Sequence, residues 1–178
     1  MHRFTLSTLA AAGSLLCATS ALAQDNPNRI EPYVGIVGAI HDFDDEANGE
    51  GLPPADYNSK QVGLVGGVNV PLGSTFFVGA EANGAKGVDG PIDWEYGVAA
   101  RAGVRMGGGK IYGKVGRQWL DFDGTAPAGN NTYDGMTYGA GVEIAPGGAD
   151  SRLRLRGEME TFGDFHSIRP SVGVVLGF

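Results

Sequence analysis

Charged side chains occur on alternate residues of apolar segments, a spacing that could assemble an ion network. Between Asp93 and Met106 every even position is apolar, whereas Glu95, Arg101 and Arg105 occupy odd positions. Successive side chains of a strand point to opposite faces, so this segment has one charged and one apolar face. Carboxylates and cations on facing strands can form a salt-bridge lattice or line an ion path. The charged faces along the chain carry Glu81, Glu95, Arg101, Arg105, Lys114, Glu143, Arg152, Arg154, Arg156, Glu158 and Glu160.

Two further segments have part of a ligand-binding pattern. Residues 41–51 are strongly acidic, and four of them match positions one, three, five and six of a calcium loop: Asp44, Glu46, Asn48 and Gly49. Position twelve is Ala55 and no helical pattern flanks the segment, so we interpret it as a solvated loop. Residues 107–110, GGGK, lack the second half of a phosphate-binding loop and are typical of a turn. We expect neither a metal nor another cofactor.

Histidine and serine are placed poorly for nucleophilic catalysis. His166 and Ser167 are adjacent, so their side chains would point to opposite faces of a strand. His41, beside Asp42, is expected at the end of a strand. No convincing serine–histidine–acid triad emerges from these residues, and we expect no enzyme activity.

The charged faces belong to eight segments with the period-two pattern of strands, and almost no segment has a helical pattern. The predicted strands are 30–41, 59–70, 76–86, 93–106, 110–121, 133–145, 152–162 and 169–178. The breaks at 71–75, 107–110 and 146–151 are tight, whereas 42–58, 87–92, 122–132 and 163–168 are mostly longer. An even number of strands with short turns at one end predicts an all-β fold, an eight-stranded antiparallel up-and-down transmembrane barrel.

Alternation alone does not say which face is inside, so a soluble barrel with an apolar cavity is a rival. Small residues such as Gly97 and Gly103 share the charged face, and an eight-stranded barrel has little interior volume. Nearly equal numbers of acids and bases suit a confined interior where each charge needs a partner. Aromatic residues lie near both ends of the apolar face, as in two membrane-interface girdles: Trp94, Tyr96 and Trp119 toward the long loops, and Phe76 and Phe178 toward the short turns. We therefore place the charges inside.

The fifth predicted strand has one arginine on its apolar face. Arg117 shares its phase with Ile111, Val115 and Trp119. At mid-depth in lipid it would cost about 2–4 kcal/mol, falling toward zero near the interface. We expect Arg117 near the outer headgroups, or else a bulge that inverts the phase.

The amino-terminal residues indicate export. Basic Arg3 precedes an apolar run and the small-residue site Ala21-Leu22-Ala23, which predicts a signal peptide over 1–23 and a barrel domain over 24–178. Cys17, the sole cysteine, lies within the predicted signal peptide. The formal net charge of −7 makes nucleic acid an unsuitable partner.

With this pattern the chain resembles the eight-stranded outer-membrane β-barrel family, similar to the transmembrane domain of outer membrane protein A and to opacity-type proteins. Segments 135–144 and 154–162 resemble strands six and seven of that family. The carboxy-terminal segment resembles the family's assembly signal, with Ser171, Gly173, Leu176 and Phe178 at the matching positions. The resemblance implies recognition of this strand by the barrel assembly machinery, and contact with outer-membrane lipid and lipopolysaccharide. The chain stops at Phe178, so we do not expect the peptidoglycan-binding domain of full-length outer membrane protein A.

These observations favour a small outer-membrane barrel of a Gram-negative bacterium. We expect a structural or surface-interaction role, namely envelope integrity, adhesion or recognition through loops 42–58 and 122–132. Acidic loop residues sharing divalent cations with lipopolysaccharide are an alternative to a merely solvated loop. Two other functions stay open: a lipid A modifying enzyme and a narrow ion channel. We favour a structural lattice for the interior ion network of Glu81, Arg101, Arg105, Lys114, Glu143, Arg156 and Glu158. The sequence does not identify the surface ligand or the oligomeric state.

Overall fold

Eight antiparallel strands form a closed barrel. The computed structural model describes residues 29–43, 58–122, 132–162 and 167–178. The strands are β1 (Glu31–Phe43), β2 (Ser59–Leu72), β3 (Phe76–Asp89), β4 (Ile92–Met106), β5 (Gly109–Phe122), β6 (Thr132–Ile144), β7 (Leu153–Phe162) and β8 (Ser167–Gly177). Each strand pairs with its neighbours in sequence and β1 pairs with β8, so no edge is left open. The predicted all-β, eight-stranded antiparallel barrel is confirmed.

Some of the sequence predictions fall outside these residues. The predicted signal peptide, the calcium-like positions 44–49 and His166 are among them. Within the described part of the chain, no helix is long and apolar enough to span a bilayer.

The connection between β3 and β4 is shorter than the sequence suggested. Residues 87–92 were expected to form a loop, but β3 continues to Asp89 and β4 begins at Ile92. The turn is left to Gly90 and Pro91, and Gly90 has a φ of +99°, a conformation that glycine adopts without strain. Glycine and aspartate disfavour strands, yet Asp89 pairs with Lys60 on β2, its Oδ2 being 2.8 Å from Nζ. Cross-strand pairing therefore outweighs the local preference here.

The two faces of the wall differ in chemistry. Large apolar side chains face outward, including Val172, Leu64 and Ile36 with 71%, 60% and 61% of their surface exposed. Charged side chains such as Glu81, Arg101 and Glu143 face the lumen and are at most 4% exposed. A continuous apolar exterior of this kind is suited to lipid, and a closed barrel satisfies the backbone polar groups there.

Glycines on the lumenal face make room for two tyrosines. A Cβ on Gly67 would lie 2.5 Å from the hydroxyl oxygen of Tyr33, and one on Gly141 would lie 2.5 Å from that of Tyr112. Real Cβ atoms do not approach other atoms so closely, so each ring occupies the space that a side chain would need. The interior of an eight-stranded barrel is filled by side chains, and glycine sets where the largest ones fit.

Arg117 faces outward without a change of phase in β5. Its neighbours in the register are Val98 on β4 and Met136 on β6, whereas the irregularity between β4 and β5 lies at Ile92/Trp94. The predicted alternative of a phase-inverting bulge at Arg117 is therefore wrong. The guanidinium forms an ion pair with Asp134, the register partner of Trp119. Its charge thus lies at the level of an aromatic residue rather than among aliphatic side chains.

The aromatic side chains near the long loops form an ordered belt. Tyr96 and Trp119 stack with ring centroids 5.7 Å apart, and the ammonium of Lys86 lies 4.8 Å from the ring centroid of Trp94. At the opposite end, Phe76 and Phe178 are 58% and 41% exposed on the outer face. Rings at both ends of an apolar wall are typical of membrane interfaces.

Candidate functional site

Six charged side chains meet in the middle of the lumen, and we call them the central ion cluster. Strands β3 to β7 contribute them, because each residue lies on the lumen-facing phase of its strand. Every member is at most 8% exposed. The cluster consists of Glu81, Arg101, Lys114, Glu143, Arg156 and Glu158.

Two arginines bridge the same pair of carboxylates. The Nη1 and Nη2 atoms of Arg101 lie 3.1 Å from Glu81 and 2.8 Å from Glu143. The corresponding atoms of Arg156 lie 2.7 Å and 2.9 Å from the same two glutamates. Both arginine side chains are completely buried. The planar guanidinium fork suits such multiple contacts, so β3, β4, β6 and β7 are tied together across the lumen.

Lys114 completes the charge balance of the cluster. Its Nζ lies 3.0 Å from Glu81 and 3.5 Å from Glu158. Three cations then face three carboxylates, and a buried charge is tolerated when it is paired and hydrogen-bonded. Lys114 also lies 3.0 Å from Glu160, which belongs to the next layer toward the loops.

Two tyrosines that carry no charge are part of this arrangement. The Tyr33 hydroxyl donates to Glu81 at 2.6 Å and accepts from Arg101 at 2.8 Å, while the Tyr112 hydroxyl donates to Glu158 at 2.5 Å. The guanidinium of Arg101 lies 3.7 Å from the ring centroid of Tyr112, a cation–π contact. Neither tyrosine was predicted from the sequence, because only charged residues indicated the network. Their phase on β1 and β5 is the signal that would have identified them.

Closer to the long loops, Glu95 organises a second polar layer. Its carboxylate accepts hydrogen bonds from the side-chain amides of Gln61, at 2.6 Å, and Gln118. Arg169 Nε lies 3.0 Å from Glu95, and Arg169 Nη1 lies 2.6 Å from Glu160. Arg169 belongs to β8 and was missed, although it shares the phase of Ser171. Glu95 and Glu160, predicted on the charged face, are both buried here.

His41 lies between an acid and a serine in the order of a hydrolytic triad. Its Nδ1 is 3.0 Å from Glu95 and its Nε2 is 3.2 Å from the Ser167 hydroxyl. His41 was predicted as a strand-end residue and Ser167 was considered only with the adjacent His166, so this contact between β1, β4 and β8 was not predicted. The signal is long-range, since 126 residues separate His41 from Ser167.

The surroundings of this triad-like group favour a structural bridge. The Ser167 hydroxyl accepts a hydrogen bond from the Phe162 amide at 3.0 Å and donates one to the Phe162 carbonyl oxygen at 3.3 Å. His41, Glu95 and Ser167 are at most 2% exposed, and all three face the lumen rather than lipid. The serine is thus held by the main chain, and the group joins three strands.

Apolar side chains occupy the lumen above this layer. Ile92, Leu120 and Phe162, at the loop-proximal ends of β4, β5 and β7, form a buried cluster with Phe122 and Tyr133 packed against it. The interior therefore changes from ionic to apolar toward the long loops.

At the short-turn end, a smaller set of charges lines the mouth of the lumen. Glu31 Oε1 lies 2.8 Å from Arg105 Nη2, and its Oε2 lies 2.5 Å from Lys110 Nζ. Arg105 was predicted in one network with the central residues but lies in this separate layer. Arg152, assigned to the inner face, is exposed and precedes β7, because that strand begins at Leu153. Lys110 was predicted both in the turn 107–110 and as the first residue of the strand 110–121, and it belongs to β5 and is buried.

The carboxy-terminal residues lie in β8 and directly after it, against the first strand. Ser171 and Gly173 follow the lumenal phase, whereas Leu176 and Phe178 are 42% and 41% exposed on the outer face. The Phe178 amide donates to the Pro32 carbonyl at 2.9 Å. This strand completes the closure of the barrel.

Metal binding has no geometric support in the described part of the chain. There, no group of three or more histidine, cysteine, aspartate or glutamate side chains could hold a metal ion. The carboxylates of the lumen bind arginine, lysine and tyrosine instead.

The family assignment follows from this barrel and a sequence match. Residues 9–171 match the family model of the outer membrane protein beta-barrel domain. The chain belongs to this family, and the predicted resemblance to eight-stranded outer-membrane barrels is confirmed. It is a multi-strand barrel of the bacterial outer membrane.

Solved structures show the same fold at low sequence identity. Ail, the attachment invasion locus protein of Yersinia pestis, is 14% identical, with a TM-score of 0.54 over 84% of this chain and 97% of that chain. The structure of Ail in complex with the heparin analogue sucrose octasulfate is 16% identical, with a TM-score of 0.55 over 84% of this chain and 97% of that chain. The N-terminal β-barrel domain of Pseudomonas aeruginosa OprF is 12% identical, with a TM-score of 0.51 over 82% of this chain and 97% of that chain. A search of curated proteins found no match.

Proposed function

We propose that this protein is a surface-interaction barrel, in which a packed lumen makes the wall a stable carrier for its long loops. The observation that carries the proposal is the complete burial of Arg101 and Arg156 between the same two glutamates. Ion pairs across the lumen link opposite parts of the wall, and the apolar cluster of Ile92, Leu120 and Phe162 lies above them. A filled interior favours adhesion, recognition or envelope integrity over transport.

The chemistry of the loops supports recognition through carboxylates. Segment 42–58 contains Asp42, Asp44, Asp45, Glu46, Glu50 and Asp56. The related fold of Ail belongs to a protein named for attachment and invasion, one structure of which holds a sulfated heparin analogue. An acidic loop would repel such a polyanion, so we propose a partner with a basic surface, or lipopolysaccharide reached through shared divalent cations.

Replacing loop carboxylates tests this proposal. Cells that display the variant D44N/D45N/E46Q should lose binding to host-cell or lipopolysaccharide-coated surfaces, because the change removes three negative charges from one loop. The matched control is D150N, in the short turn before β7 at the other end of the barrel, and it should bind as the parent does. Unheated and boiled samples should migrate differently on gels for all three proteins. Equal adhesion by parent and loop variant would contradict the proposal.

The route to the membrane is part of the same proposal. Residues 1–23 would direct export, and Ser171, Gly173, Leu176 and Phe178 would present the last strand to the barrel assembly machinery. A Phe178→Ala variant should accumulate less in outer-membrane fractions than a Phe76→Ala variant, which removes an outward ring from β3 instead. Equal accumulation of the two variants would contradict the proposed role of Phe178 in assembly.

The enzyme and channel alternatives have direct tests. Lipid A mass spectra from cells with and without the protein should be identical, whereas an altered acyl pattern would support a lipid A modifying enzyme. Planar bilayers containing the protein should show no steady conductance. A conductance whose ion selectivity changes in Arg101→Gln would support the channel.

A further inference from the structure

The short-turn end of the lumen contains a cavity with an excess of positive charge. Its volume is about 200 Å³. Three cationic side chains line it: Arg105, Lys110 and Arg154. At about 30 Å³ per water molecule the space holds several waters, and therefore a tetrahedral oxyanion with part of its substituent.

The acids near this cavity do not balance its cations. Glu31 binds both Arg105 and Lys110, at 2.8 Å and 2.5 Å. Arg154 is half-buried and has no carboxylate partner among the described residues. Asp150, in the neighbouring turn, is exposed and forms no ion pair with the described part of the chain. One glutamate thus serves two of three lining cations, and the guanidinium of Arg154 is left to bind another anion.

Hydrogen-bonded turns fix the wall of the cavity. Gly107 and Gly108, between β4 and β5, and Gly109, at the start of β5, line it, and Ala149 lines it from the turn between β6 and β7. The Ala145 amide donates to the Gly108 carbonyl at 2.8 Å, which joins these two turns. Gly108 has a φ of +99°, so glycine suits the backbone at this approach. The cations are therefore held around a preformed space.

We propose that this cavity binds phosphate-bearing anions at the periplasmic mouth of the barrel. In outer-membrane barrels the short turns face the periplasm, which places the site beside the inner leaflet. A guanidinium can donate two parallel hydrogen bonds to a phosphate group, and the lysine adds a point charge. The phosphate belongs either to a soluble periplasmic ester or to a phospholipid headgroup. The site is independent of the loops at the opposite end and of their proposed role.

A titration of the folded barrel with inorganic phosphate tests the site. The full barrel is placed in micelles of a maltoside detergent, which carries no phosphate, and the amide resonances of Gly107, Gly108 and Gly109 are followed at constant ionic strength. Phosphate should give saturable shifts that chloride does not. Arg154→Gln should weaken binding by about tenfold or more, since it removes a charge-assisted hydrogen-bond donor. Arg152→Gln, which neutralises an exposed arginine two residues away, should bind phosphate as the parent does.

A second arm identifies the source of the phosphate. When phosphatidylglycerol is added to the same micelles, a lipid headgroup in the site would shift the same resonances before inorganic phosphate is added, and it would reduce the shifts that inorganic phosphate then produces. An unchanged titration would indicate a soluble ester. If Arg154→Gln does not fold, Arg154→Lys keeps the charge and should bind more weakly than the parent. The proposal is overturned if neither phosphate nor phosphatidylglycerol gives specific shifts, or if Arg154 variants bind equally well.

Discussion

Ion pairs occur on both faces of this barrel, and the two sets differ in burial and connectivity. In the central ion cluster, Arg156 contacts three glutamates and its side chain is completely buried. On the outer face, Arg117 binds the single partner Asp134, and their side chains are 58% and 38% exposed. Arginine and carboxylate groups therefore form a connected network inside the barrel and an isolated pair outside.

The comparison teaches where electrostatics determine the stability of the fold. A buried charge has lost its water and depends on its partners, so removing one partner leaves an uncompensated charge. An exposed pair gains little from its contact, because water and salt replace the partner. We expect the lumen to tolerate truncation poorly and the outer pairs to tolerate it well.

The largest effect is expected from Arg156→Met. This change leaves Glu81, Glu143 and Glu158 with two cations instead of three, and should lower the free energy of unfolding by about 3–5 kcal/mol. Urea titrations in detergent micelles, followed by the fluorescence of Trp94 and Trp119, give the value. The control Arg152→Met removes an exposed arginine and should stay within about 0.5 kcal/mol of the parent. An equal loss of unfolding free energy in the two variants would show that buried and exposed arginines contribute alike to stability.

A smaller effect is expected from adding one methyl group inside. Gly141→Ala places a Cβ against the Tyr112 ring, within 2.5 Å of its hydroxyl, and should destabilise the barrel by about 1–3 kcal/mol. Gly113→Ala on the outer face meets nothing closer than 3.8 Å and should be neutral or slightly stabilising. The same urea titrations compare the two variants. Equal unfolding midpoints would show that the lumen is not tightly packed around Tyr112.

The smallest effect is expected at the outer pair. Asp134→Asn leaves Arg117 exposed beside the aromatic belt, so stability should fall by about 1 kcal/mol or less. Raising the salt concentration to about 1 M should abolish this difference, because the Debye length shrinks to about 3 Å. The stability difference between Arg156→Met and the parent should persist at the same salt concentration. A salt-independent loss in Asp134→Asn would show that this pair is shielded from water.

The strands could be predicted from the sequence because alternation is a local property. The phase of Glu81, Arg101 and Glu143 places them on one face, and the small residues and aromatic girdles place that face inside. The ion-pair partners of these residues cannot be predicted from phase, since the register of five strands decides that Arg101 and Arg156 meet the same glutamates. His41 and Ser167 meet only through closure of β1 against β8, and no short motif encodes that contact. The uncharged Tyr33 was missed because charge was the signal followed.

Placement of the apolar face against lipid is the central claim, and spin labels test it most directly. Residues 24–178 contain no cysteine, so Val98→Cys and Val142→Cys variants can each be labelled at one site. Both valines face outward, with 54% and 40% of their surface exposed. In bilayers, each label should collide often with oxygen and rarely with a water-soluble nickel chelate, whereas a label at Asp150→Cys should do the reverse. Frequent nickel collisions at Val98 and Val142 would contradict the account.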